Sequence, residues 1–171
     1  MCKRKKIALI MTFTMLLLAG YRAYAFQNEP DGFRGIKWGV NIGKLSSMKL
    51  IEDGEEVKYY ALKNDKMQIG DAELDAIAYG FYKSRFYMVG IKYHAYSNYS
   101  AIKETLIQQY GPGSRPNKYV EKYFWFGDNV SVTLQFNEIQ ETGVLWYLYK
   151  PIDEESERDV KEKAKEGARD L

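Results

Sequence analysis

The amino-acid sequence predicts an α+β domain: an antiparallel sheet of about six to eight strands with one long and one short helix on one face, then a charged C-terminal helix or tail. Three observations carry this expectation. Val130, Val132, Leu134 and Phe136 alternate with Ser131, Thr133, Gln135 and Asn137, the period of a strand with one buried face. Tyr99, Ile102, Leu106 and Tyr110 recur at helical spacing and stop at Gly111-Pro112. The remaining strand candidates follow one another across short turns, which leaves few places for parallel crossovers.

Taken in chain order, residues 1–25 have the form of a secretory leader. Lys3, Arg4, Lys5 and Lys6 precede an apolar run from Ile7 to Ala19, and Ala23-Tyr24-Ala25 is the small-x-small pattern that signal peptidase reads. A cut after Ala25 is expected, giving a periplasmic or secreted protein with no membrane span after cleavage; the apolar run is short against the roughly 20 residues a spanning helix needs. Leu17-Leu18-Ala19-Gly20 looks like the start of a lipobox, but Tyr21 stands where the lipid-bearing cysteine would be. The one cysteine, Cys2, lies in the leader, so the exported domain has no disulfide and its stability rests on its core. Without the leader, 20 basic residues face 23 acidic ones, a net charge of −3. A chain with that balance and no basic tract excludes a nucleic-acid partner, which would require clustered Lys and Arg.

Residues 26–150 form a single domain. Phe33 to Gly39 reads as a short strand leading into a turn, and Asn41 caps a short helix over Ile42 to Met48. Strands follow at Met48 to Glu52, Val57 to Leu62, Leu74 to Tyr82 and Phe86 to Ala95, the last two joined near Lys83-Ser84. Asn98 is the expected cap of the long helix. Tyr119 to Phe126, the alternating strand from Val130, and Val144 to Tyr149 make a three-stranded meander across Gly127-Asp128-Asn129 and Thr142-Gly143. Residues 151–171 carry thirteen charges in twenty-one positions and no aromatic, which suits a solvated helix opened by Pro151, or a tail.

No constellation of residues names a reaction. His94 is the one histidine and sits on an expected strand with Phe86, Met88 and Lys92 on its parity. No Gly-x-Ser-x-Gly elbow is present, and Gly111-Pro112-Gly113-Ser114 ends a helix instead of opening one, so it is a capping turn and not a phosphate loop. Asp71, Glu73 and Asp75 are spaced to share one strand face, either as a charged edge or as oxygen ligands. No cofactor is expected. The aromatic content is the anomaly: 15 Tyr, 8 Phe and 3 Trp, with Tyr123 and Trp125 on one parity of their strand and Phe124 and Phe126 on the other. A core on one side of a sheet cannot hold both sets. The expectation is therefore a binding or interaction module, not an enzyme, meeting an envelope protein, peptide or glycan surface. Its candidate contact residues are Arg34, Lys37, Trp38, Tyr123 and Trp125; the competing reading of the Phe33 to Gly39 phrase makes Phe33, Ile36 and Trp38 anchors of the amino terminus to the core. An envelope structural or assembly factor is the alternative, and a carboxylate-dependent hydrolase the third.

Phe33-Arg34-Gly35-Ile36-Lys37-Trp38-Gly39, Tyr79-Gly80-Phe81-Tyr82 with Phe86-Tyr87, Tyr110-Gly111, and Tyr123-Phe124-Trp125-Phe126-Gly127 together resemble a group of small exported bacterial proteins of uncharacterised function. That resemblance spans most of Phe33 to Pro151 and implies an envelope location, with no activity or catalytic residue attached. In layout alone, a short helix after a glycine-tryptophan phrase followed by antiparallel strands is similar to beta-lactamase inhibitor proteins and to small outer-membrane assembly lipoproteins.

Overall fold

The computed structural model describes residues 26–170; the expected leader lies outside them. The elements run β1 (Gly32–Phe33), β2 (Ile36–Lys37), β3 (Met48–Asp53), β4 (Val57–Leu62), β5 (Gln68–Ile69), β6 (Ala72–Glu73), β7 (Ala76–Tyr82) and β8 (Arg85–His94). They continue with α1 (Tyr96–Tyr110), β9 (Glu121–Phe126), β10 (Val130–Asn137), β11 (Thr142–Tyr149) and α2 (Lys150–Gly167). Seven strands form one sheet in the order β3-β4-β7-β8-β11-β10-β9, with every neighbouring pair antiparallel. The α+β architecture is as expected. The short helix behind Asn41 is one 3-10 turn, Ile42–Lys44, with the Asn41 side chain accepting from the Gly43 N–H.

One face of the sheet is the core. Tyr79, Phe81, Phe86, Val89, Ile91, Val132, Leu134 and Leu145 are buried there against Tyr99, Ile102, Leu106 and Tyr110 of α1. The Tyr99 ring stacks on Phe136 with centroids 5.1 Å apart, so the helix strip meets the strand face that the alternation selects. Each such side chain contributes about 1.5 to 3 kcal/mol when removed from water. Ser131, Thr133 and Gln135 lie on the opposite face, half-buried by their neighbours.

Two local features depart from the periodicity. Asn98 is not the cap of α1: the helix starts at Tyr96 behind Ala95, whose φ is +64° because the chain must reverse directly after β8. The Asn98 side chain instead donates to the His94 carbonyl and accepts from the Glu73 N–H, tying β6 to the first turn of α1. The second departure is a bulge. Gly80 pairs with Met88 and Phe81 with Phe86, so Tyr87 is unpaired and the side-chain parity of β8 switches there. Phe86 therefore faces the core with Val89 and Ile91, while Tyr87 belongs with Met88 on the far side, against the simple alternation expected for this strand.

That far side receives α2. Ile152 is buried with Tyr82 and Tyr87 and packs beside Val57, Met88 and Leu148. The acidic residues of α2 hold the rest: Glu155 pairs with Arg85 at 2.7 Å and Lys83 at 3.3 Å, and Asp159 pairs with Lys83 and accepts from the Tyr82 hydroxyl at 2.5 Å. Lys163 reaches Glu56 at 2.6 Å. The Arg85 bond, then Lys83, holds the Glu155 carboxyl below its ordinary range, and Lys83 with Tyr82 does the same for Asp159.

These depressed carboxylates stabilise docking above their ordinary pKa values of 4.5 and 3.8, and the contribution is lost as the pH falls through the depressed ones. Asp153 opposes them, since desolvation, then Glu157 and Glu154, raises its pKa and its protonation favours the docked state. The two salt-bridged groups outnumber it. Amide hydrogen exchange, compared at about pH 6 and about pH 2.5 because the loss begins only below the ordinary carboxylate value of 4.5, is expected to show α2 losing protection while α1 keeps it. Equal protection of α2 at both values would show that Ile152 holds the helix without the ion pairs.

Candidate functional site

Strand register places the side chains opposite the core in rows. Next to α2 the row is Phe126, Ser131, Leu148 and Met88. The second row is Phe124, Thr133, Trp146 and Gly90, and the third is Lys122, Gln135, Val144 and Lys92. Asn137, Thr142 and His94 form the last. The face thus grades from apolar beside α2 to polar at the His94 end.

Its aromatic part is exposed. Phe126 is 63% exposed and Trp146 39%, and Phe124 and Phe126 stack with centroids 5.6 Å apart and planes at 10°. Gly90 explains how Trp146 sits: the six-membered portion of its indole lies where a Cβ at residue 90 would be, so only glycine lets the ring lie on the strand. Lys122 Nζ lies over the Phe124 ring, 5.2 Å from its centroid. Among the described residues neither Lys122 nor Lys92 makes an ion pair.

Beside the third and fourth rows is an open depression of about 400 Å³, lined by Asp75, Lys92, Gln135, Asn137, Gln140 and Thr142. At its rim Asp75 Oδ1 is 2.5 Å from His94 Nδ1, and the His94 side chain is 60% exposed. Asp75 therefore orients the imidazole, with Thr142 directly across the ladder, but the pair stands in solvent outside any enclosed cleft. The arrangement offers ring stacking, amide and hydroxyl hydrogen bonds, and two free cations.

Asp71, Glu73 and Asp75 do not share a strand face. Asp71 lies in the turn after Ile69, Glu73 ends a two-residue strand, and Asp75 belongs to the bend before β7, because the segment folds into the tight β5–β6 hairpin. Among the described residues no group of three or more His, Cys, Asp or Glu is placed to hold a metal ion. No helix among them is long and apolar enough to cross a membrane.

The five residues singled out in the sequence lie elsewhere. Phe33 to Gly39 is a β1–β2 hairpin, not a single strand, with Arg34 and Gly35 at φ +51° and +78° in its turn. Arg34 pairs with Asp65 and donates Nη2 to the Gln68 carbonyl at 2.8 Å, so its charge is committed. Asp65 also accepts from the Tyr79 hydroxyl, which burial and that bond push well above the ordinary tyrosine pKa. Trp38 is half-buried, stacks on Phe86 at 4.7 Å, lies parallel to Tyr149, and donates Nε1 to the Pro30 carbonyl. Its neighbours Gly39 and Ile42 bond to the start of β8 and to the turn before it, at Phe86 and Ser84. Lys37 is exposed, 3.5 Å from Asp31. Trp125 is 2% exposed on the core face and donates to the Gly111 carbonyl, while Tyr123 is half-buried alongside it and Arg115.

A second depression, of about 390 Å³, borders Trp38 and Lys37. Of its two carboxylates, Asp31 lies 3.5 Å from Lys37 Nζ, and Glu29 accepts from the backbone N–H groups of Asp128, Asn129 and Val130 at 2.9, 2.6 and 2.5 Å, capping the β9–β10 turn. The open face instead presents residues the sequence did not single out: Phe126, Trp146, Lys92, Lys122 and Gln135. Alternation along β9 separates Tyr123 and Trp125 from Phe124 and Phe126, but the pair expected at the contact surface, Tyr123 and Trp125, is the inward one, because which parity faces solvent depends on where α1 lies.

Trp38→Ala is expected to cost about 3 kcal/mol in urea denaturation, since a half-buried ring stacked on two others is removed. Lys37→Ala is expected to leave the midpoint unchanged. Equal midpoints for both variants would show that the Trp38 ring does not anchor the amino-terminal segment. Comparison of the chain with family models, with curated proteins and with solved structures gives no match.

Proposed function

We propose that the chain is an exported binding module of the bacterial envelope, without catalytic activity, that takes its ligand on the open sheet face between α2 and His94. The observation that carries this reading is the exposure of Phe126 and Trp146 beside Phe124 on a face whose opposite side already contains a complete core. Exposed aromatic surface in water favours association, and on a folded domain it marks contact sites. Export is supported by the basic start, apolar run and Ala23-Tyr24-Ala25 of the leader.

The ligand-binding role is tested with Phe126→Ser and Trp146→Ala. The first should change stability by less than about 0.5 kcal/mol, since the ring is mostly in solvent. The second should cost about 1 to 2 kcal/mol through lost contact with Gly90. Both should abolish recovery of an envelope component that the unaltered chain retains from envelope extract. Undiminished recovery by the folded double variant would remove the open face as the binding surface.

A further inference from the structure

We infer that the occupant of the open face is a polysaccharide chain bearing carboxylates, a proposal that rests on the binding-module reading and specifies its ligand. Three features of the face converge on that chemistry.

The first is the spacing of the rings. Phe124 and Trp146 stand in one row on strands separated by β10, which sets their backbones about 10 Å apart at the ordinary strand spacing, and the Trp146 ring leans away from Phe124 over Gly90. Thr133 lies between them. The C–H faces of pyranose rings stack on aromatic side chains, and two platforms with a hydroxyl between suit an extended chain of sugars better than one compact ligand. Gly90 keeps the Trp146 ring against the strand, so the platform is held in place before any ligand arrives.

The second is the polar complement. Gln135, Asn137, Gln140 and Thr142 border the depression next to the Trp146 row, together with Asp75, whose carboxylate is engaged by His94 Nδ1. Amides and hydroxyls both donate and accept, as sugar hydroxyls do, so the partners match without a fixed polarity.

The third is charge. Lys92 and Lys122 flank Gln135 and Val144 in the third row, three strand spacings or about 14 Å apart. Neither has an acidic partner among the described residues, although the chain after the leader is net acidic. One small anion cannot reach both; a chain with repeated carboxylates can. An extended peptide is a poorer fit, because strand addition needs an open backbone edge, and on the edge strand β9 Ser114 already bonds both backbone groups of Phe124, at 2.8 and 2.9 Å. Two lysines also fall short of the four to eight clustered cations that hold a protein to anionic lipid.

The test is affinity electrophoresis and calorimetry of the full chain with polygalacturonate, alginate and hyaluronate as uronate polymers. Hydroxyethylcellulose serves as a neutral polymer and polyglutamate as a polyanion without sugar rings. Retardation by at least one uronate polymer, with little or none by the other two probes, is expected. Trp146→Ala, and separately Lys92→Gln with Lys122→Gln, should each weaken that binding about tenfold or more. The lysine pair should also flatten its salt dependence, and Phe126→Ser provides a variant that cannot fail by misfolding of the Gly90 contact. Equal binding of hydroxyethylcellulose overturns the carboxylate requirement, and equal binding of polyglutamate overturns the sugar requirement. Binding to none of the uronate polymers, while Phe126→Ser still loses the envelope component, overturns the glycan and leaves the binding module standing. If Phe126→Ser loses nothing in either assay, both readings fall.

Discussion

Burial of Val89, Ile91, Val132, Leu134 and Leu145 beneath α1 decides where every other side chain of the central strands must stand. Side chains alternate across a strand, so a slip of one residue would carry Trp146 and Phe124 into the core and Leu134 and Leu145 into water. The register is therefore held by the core, at about 1.5 to 3 kcal/mol for each apolar side chain buried. The outward rows are its consequence, and they inherit its rigidity: Phe124, Thr133, Trp146 and Gly90 are cross-strand neighbours because their inward neighbours are packed.

The bulge at Tyr87 divides that outward face in two. By switching the parity of β8 it places Tyr87 and Met88 together on the far side, next to Tyr82, and creates one apolar spot. Ile152 is the one buried residue of α2, so the helix covers that spot and no more. Its remaining attachment is electrostatic, to Lys83, Arg85 and Glu56 at the Tyr82 end of the hairpin. Nothing apolar on α2 competes for Trp146 or Phe126, whose exposure follows from the composition of the last twenty-one residues as much as from the sheet.

The strands of the seven-stranded sheet and α1 were readable in the sequence because their signals are local, while residues 151–171 read as a helix or a tail. Alternation from Val130, the strip from Tyr99 to Tyr110 and the Gly111 stop each depend on residues a few positions apart, and Val57–Leu62 is the strand expected. What escaped the sequence depends on partners far along the chain. Arg34 looked free until Asp65 was placed beside it, whereas for Trp38 the choice between anchor and contact residue is made by Phe86 beneath it. The Ala95 reversal carries no residue signature, since alanine seldom takes a positive φ. The aromatic division of β9 was visible, but its sign was not: the choice between Tyr123 with Trp125 and Phe124 with Phe126 is made by α1 and by the Gly111 carbonyl that takes the Trp125 N–H.

Net charge is a poor guide to this surface for a related reason. The domain from Phe26 to Lys150 has fifteen basic and fifteen acidic residues, and the last twenty-one add an acidic excess. Those acids are not spread evenly. Glu155 and Asp159 are drawn to Lys83 and Arg85, neutralising the cations at the end of the sheet that α2 covers. Arg34 is likewise spent on Asp65, and Arg115 on Glu121. Lys92 and Lys122 remain on the half of the face that α2 does not reach, Lys122 beside the Phe124 ring and Lys92 in the depression with Gln135 and with Asp75, whose carboxylate is taken by His94. At physiological ionic strength charges are felt over roughly 8 Å. A ligand at the Trp146 row therefore meets the local lysines before it senses the net acidity of residues 26–171, and the same helix that makes that stretch acidic leaves this part of its surface cationic.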